Sequence, residues 1–149
     1  MGKIYAGTSG WAYATWKPDF YPEKLASAKF LGHYSSRLNT VEVNYTFRHF
    51  PTEKLLRGWM AATPPEFKFV FKANQKITHI KRLKDVAEFT SEFVVALQPL
   101  DVEKKLGPVL FQFVELCPAG CHRKDSGANR AAASDVQRCV ADHQHFVAG

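Results

Sequence analysis

The 149-residue sequence has no run of about 18 apolar residues, which excludes a hydrophobic membrane-spanning helix. Its first ten residues lack the basic start and apolar core of a secretory signal, so a cytoplasmic protein is the simplest inference, with no membrane partner. No cysteine occurs before residue 117, so any thiolate metal site has to lie in the last part of the chain. That part is poor in other ways. From residue 113 onward it holds two of the 20 aromatic residues, Phe113 and Phe146, and Leu116 as its only leucine or isoleucine, so it can bury little. The formal net charge of +6 belongs entirely to residues 1–112, because the tail carries four basic and four acidic side chains. Two compositions are joined near residue 113.

What is present centres on Thr40-Val41-Glu42-Val43-Asn44, a β-branched run with a carboxylate and an amide inside it. Side chains alternate along a strand, so Val41 and Val43 share one face while Thr40, Glu42 and Asn44 share the other. An ionised Glu withdrawn from water costs several kcal/mol unless it is paired or solvated, so Glu42 should meet a cation or line a polar cavity. On an exposed edge strand the same residues would simply face water. The alternating strands and helices around them favour a strand covered on both faces.

The chain reads in order as a strand at residues 3–8, a helix at 23–38, the central strand to Asn44, a helix from the N-cap Thr52, and a strand at 67–72. A helix from Asp85 and a strand at 108–112 complete the series. The first helix places Leu25, Ala28, Leu31, Tyr34 and Leu38 on one face, the second Leu55, Leu56, Trp59 and Met60, and the third Val86, Phe89, Phe93 and Leu97. Asp85 with Glu88 resembles a capping box, Pro99 is expected to end the third helix, and Gly107 to close a turn before the last strand. Residues 11–22 carry Trp11, Tyr13, Trp16, Phe20 and Tyr21, aromatics that either plug the end of a core or wall a pocket. This order is the α/β pattern of a parallel sheet built from βα repeats.

Ligands of such sheets sit beyond the carboxyl ends of the strands. Ser9, Glu42, Asn44, Lys72, His79 and Gln112 fall on or just after those ends. Within the third strand Val70 and Lys72 oppose the phenylalanine face, so Lys72 has the parity of Glu42.

These residues resemble a family. Gly7-Thr8-Ser9-Gly10-Trp11 with Tyr13 and Trp16, Phe20-Tyr21-Pro22, Thr40 to Asn44 with Thr46-Phe47, Phe69 to Lys72 with Thr78-His79, and Leu106-Gly107-Pro108 to Phe111-Gln112 look like the successive motifs of the YecE-like barrels, domain of unknown function 72. The resemblance covers residues 4–112 and implies the first half of a TIM (β/α)8 barrel with a polar pocket at its carboxyl face. It brings no assigned activity and no cofactor. A complete barrel takes about 200 to 250 residues. The expectation is therefore two segments: a half-barrel at residues 1–112, and a tail at 113–149, disordered or weakly helical, where truncation or a frameshift has left the family pattern.

In the tail, Cys117, Cys121, His122, Cys139, His143 and His145 are metal-ligand types, but their spacing fits no zinc unit beyond the first cysteine pair, so no metal site is assigned. Two functions fit the rest. In the first, an intact family member binds an anionic or oxygen-rich small molecule, with Glu42 as general acid or base, Lys72 as its electrostatic partner, and Ser9, Trp11, Asn44, His79 and Gln112 as binding residues. This chain alone would then be inactive and would self-associate through its open sheet. In the second, the basic loop of residues 72–84 binds phosphate or nucleic acid without catalysis. A solvated turn of ordinary lysine content would read the same way.

Overall fold

The computed structural model describes residues 2–113. The β-branched run forms strand β1 (Thr40–Val43), which pairs in parallel with β2 (Lys68–Lys72). Strand β2 in turn pairs in parallel with β3 (Leu106–Leu110), giving the order β1-β2-β3. The period-2 pattern holds: Val41, Val43, Phe69 and Phe71 are buried, while Thr40, Glu42, Lys68, Val70 and Lys72 are half-buried on the other face. Register places Glu42 beside Val70 and Val43 beside Phe71.

Three helices connect and cover the strands: α1 (Phe30–Ser35), α2 (Glu53–Ala61) and α3 (Ala87–Val102). Their apolar stripes supply Phe30, Leu31, Tyr34, Leu56, Phe93, Leu97 and Leu100 to a single core with the four buried strand residues. Burying one such side chain contributes roughly 1.5–3 kcal/mol, so this face is where the fold gains its stability. Thr52 caps α2 as expected, its hydroxyl accepting from the Leu55 N–H at 3.3 Å.

The expected element boundaries shift at five places, each with a physical cause. Residues 3–8 form no strand. The Ala6 N–H donates to Asn39 Oδ1 and Asn39 Nδ2 donates to the Ile4 carbonyl, both at 2.8 Å. The Tyr34 hydroxyl accepts from the Thr8 N–H at 2.8 Å and donates to the Thr40 carbonyl at 3.0 Å. Side chains thus replace the ladder, and only Ser9 makes a parallel bridge, opposite Glu42. The first helix is shorter than residues 23–38, because Ala26 is extended and only a 3₁₀ turn (Ser27–Lys29) precedes α1; Ala28 is exposed.

The capping box at Asp85 does not form: Asp85 is left-handed (φ 49°), and α3 starts at Ala87 without a side-chain cap. Pro99 does not end α3 but lies inside it. The missing N–H would have served the carbonyl of Val95, on an exposed turn that water can satisfy. The helix closes at left-handed Lys104, with the Lys105 N–H reaching the Leu100 carbonyl at 2.8 Å. Finally, β3 begins at Leu106, so Gly107 lies within the strand. A Cβ there would stand 2.9 Å from the Phe69 carbonyl oxygen, so the glycine permits the close approach to β2.

Candidate functional site at the carboxyl ends of the strands

Parallel pairing brings the carboxyl ends of β1, β2 and β3 to one edge of the molecule. Ser9 is held there by two backbone bonds to β1: the Glu42 N–H donates to Thr8 O at 3.0 Å and the Gly10 N–H to Glu42 O at 2.9 Å. Gly10 turns with φ 85°, a left-handed value that suits glycine. The three polar side chains then form a directed chain. Asn44 Nδ2 donates to Ser9 Oγ at 2.6 Å, and Ser9 Oγ donates to Glu42 Oε1 at 3.1 Å. Glu42 is half-buried and lies off the helix-packed face, as its parity requires.

Beside this chain, Asn44 opens a 3₁₀ turn (Tyr45–Phe47) that is tied to the end of β2. Thr46 Oγ1 donates to the Lys72 carbonyl at 2.7 Å, and Asn74 Nδ2 to the Thr46 carbonyl at 3.0 Å. The turn presents the Phe47 ring to Lys72, whose Nζ lies 4.8 Å from the ring centroid. His79 meets the same ring edge-to-face at 5.0 Å, and its Nδ1 pairs with Thr78 Oγ1 at 2.7 Å.

Five of the seven candidates are therefore organised around two neighbouring groups, Ser9–Glu42–Asn44 and Lys72–Phe47–His79. Lys72, expected as the electrostatic partner of Glu42, forms no ion pair with it. The ion pairs among the described residues are Lys3–Glu66 and Arg57–Glu53, and the Lys72 ammonium faces an aromatic ring instead. Trp11 is half-buried against the core, its ring edge-on to Trp59 at 5.4 Å, which matches a plug more closely than a pocket wall. Gln112 is exposed just past β3. Phe47 is the site residue that sequence reasoning passed over; its place directly after the polar strand end was the available signal.

In the basic loop, Lys76 Nζ lies 5.2 Å from the Phe89 centroid and Lys81 Nζ donates to the Asp85 carbonyl at 2.8 Å, so both are drawn into local contacts. A hollow of about 360 Å³ lies between α2 and α3, lined by Arg57, Met60, Val95 and Pro99 among others, and includes none of the candidates. Among the described residues no cluster of three or more His, Cys, Asp or Glu could hold a metal, and no helix is long and apolar enough to cross a membrane. The tail's cysteines and histidines lie outside the described residues.

The family model described as "Protein of unknown function DUF72" matches residues 5–143. The chain belongs to this family. The match runs past Gln112, where the motif-level resemblance stops. The UPF0759 protein YunF of Bacillus subtilis (strain 168) is 35% identical over 114 residues, 74% of this chain and 39% of that protein. The UPF0759 protein YecE of Escherichia coli (strain K12) is 28% identical over 97 residues, 65% of this chain and 33% of that one. The chain thus spans between a third and two fifths of the curated relatives it matches.

Among solved structures, a DUF72 family protein of Thermotoga maritima MSB8 superposes with a TM-score of 0.73 at 31% identity, over 91% of this chain and 51% of its own. A DUF72 family protein of Enterococcus faecalis V583 does so with a TM-score of 0.72 at 23% identity, over 94% of this chain and 48% of its own. The parallel βα architecture corresponds to about half of these family structures.

Proposed function

We propose that the carboxyl end of the sheet binds an oxygen-rich small molecule, with Glu42 as its general acid or base and Ser9 and Asn44 as the groups that orient it. The observation that carries this reading is the hydrogen-bond chain from Asn44 through Ser9 to Glu42 Oε1. A serine hydroxyl that accepts from an amide has its proton directed at the carboxylate, which fixes one carboxylate oxygen. The second oxygen, Oε2, makes no hydrogen bond within the described residues, so it is open to a proton on the ligand. A base held on one side and open on the other is the geometry that proton transfer requires. Such chemistry in a full-length family member would draw on residues beyond the described ones. The carboxyl-end location follows the general rule for parallel sheets.

The test uses the full chain and a panel of sugars, sugar acids and sugar phosphates, followed by amide chemical shifts. Saturable shifts are expected at Ser9, Glu42 and Asn44. Asn44→Ala should weaken binding about tenfold, the loss of one well-placed hydrogen bond. Glu42→Gln should leave binding within a few-fold while abolishing any turnover. Shifts clustered in the α2–α3 hollow, or turnover unchanged in Glu42→Gln, would refute the assignment.

A further inference from the structure

Lys72 ends β2 half-buried, and its ammonium faces an aromatic ring and forms no ion pair among the described residues. His79 stands against the same ring, with Nδ1 engaged by Thr78 and Nε2 making no hydrogen bond within the described residues. Since each lies about 5 Å from the Phe47 centroid, the ammonium and the imidazole are less than about 10 Å apart. Both groups therefore stand on one small patch around the ring.

The segment that delivers His79 is costly to build. It is a wide π-helical turn (Lys76–Ile80), closed by the Lys81 N–H on the Lys76 carbonyl at 2.9 Å. Arg82 (φ 49°) and Leu83 (φ 64°) then follow in the left-handed region, and Asp85 (φ 49°) shortly after. Left-handed backbone at non-glycine residues is strained, and strain of this kind clusters at functional sites.

We infer that Lys72 and His79 form an oxyanion-binding half-site around Phe47, taking the phosphate or carboxylate group of a small molecule whose hydroxylated part reaches Glu42, Ser9 and Asn44. The inference rests on the reading of the carboxyl end as a ligand site, and it changes the role of Lys72 from partner of Glu42 to anchor of the ligand. The Phe47 ring shields one side of the ammonium from water, so an arriving anion meets a partly desolvated charge and is held more firmly than at a free surface lysine. With the ring in the tautomer whose Nδ1 accepts from the Thr78 hydroxyl, Nε2 of His79 carries the proton and supplies a second, directional donor.

The experiment titrates inorganic phosphate, and in a second arm sodium acetate, into the full chain and follows the imidazole resonances of His79, with His33 and His49 as internal references. A saturable response at His79 that is at least about tenfold weaker in Lys72→Met and restored in Lys72→Arg supports the half-site. Preference for phosphate assigns a phosphoryl group, and preference for acetate a carboxylate. An absent response, an equal response at all three histidines, or a response that survives Lys72→Met overturns it. A polyol titration of the unsubstituted chain separates the two readings. A phosphate response at His79 with no polyol effect at Glu42 sinks the acid–base reading and keeps the half-site. A polyol effect at Glu42 with no phosphate response at His79 does the reverse.

Discussion

Two lysines at opposite ends of the same sheet have opposite circumstances. Lys105, just before β3 at the amino end, is buried, and its ammonium is shared among the carbonyls of Met60 (2.9 Å), Thr63 (2.7 Å) and Pro64 (2.9 Å) and the Thr63 hydroxyl (2.9 Å). It ties β3 to the end of α2, where the Met60 and Pro64 carbonyls also accept from the Thr63 and Phe67 N–H groups and the Thr63 carbonyl depends on the ammonium among the described residues. Lys72 at the carboxyl end has one aromatic ring. Other amino-end groups are also satisfied internally. Lys68 Nζ donates to the Lys104 carbonyl at 2.6 Å, Lys3 pairs with Glu66, and the Asn39 amide bridges Ile4 and Ala6. A polar group satisfied by the protein holds the fold together. One left with spare valences is available to a ligand, and in parallel βα folds the two kinds separate to the two ends of the strands.

The largest effect that could break this comparison is at Lys105. Burial pushes its ammonium below the ordinary lysine pKa, with Glu103 acting the other way, and the surrounding oxygens accept its protons. Lys105→Met should cost about 3 kcal/mol in urea unfolding, because it removes a buried charged donor that serves four acceptor contacts and leaves the Thr63 carbonyl without a partner. A loss under about 1 kcal/mol would show that water can replace the ammonium, and the amino end would no longer differ from the carboxyl end in kind.

A smaller effect tests whether the aromatic loop is a plug. Tyr21 is fully buried, its hydroxyl donates to the Trp11 carbonyl, and its ring stacks on Phe30 at 4.1 Å. Burial, with Tyr34 nearby, pushes its pKa up to about 12 from the ordinary 10. The folded state therefore holds this proton more tightly than the unfolded one. The associated stability is complete below pH 10 and is lost as pH rises through about 12, roughly 2–3 kcal/mol in all. Urea midpoints between pH 9 and 12 should fall accordingly, and Tyr21→Phe should flatten that slope. An unchanged slope would mean that the loop opens before Tyr21 ionises, as a mobile pocket wall would.

How much of this was legible in the sequence depended on the kind of signal. Period-2 alternation placed Glu42 and Lys72 off the packed face, and the Thr52 cap was readable because both follow from local geometry. The same parity gave no distance, so it could not show that Lys72 turns to Phe47 rather than to Glu42. Residues 3–8 failed as a strand because the competing partners, Tyr34 and Asn39, are more than 25 residues away in sequence. Lys105 had no local signal either, since its acceptors come from residues 60–64. Pro99 and Gly107 were read as breakers, yet both lie within elements, because tertiary packing overrides the local preference.

The smallest effect is the sharpest test, and it concerns Lys72 alone. Lys72→Met keeps most of the apolar stem that packs along the half-buried strand and removes only the charge. The lost cation–π contact is worth about 0.5–1 kcal/mol, and relief from desolving a half-buried ammonium offsets it. The net change in urea unfolding should lie within about 0.5 kcal/mol of zero. Near-neutral stability combined with loss of the His79 response to phosphate would separate the two lysines, one structural and one poised for a ligand. If Lys72→Met instead costs about as much as Lys105→Met, the Phe47 ring is a structural partner for the ammonium, Lys72 serves the fold, and the carboxyl end loses its anion anchor.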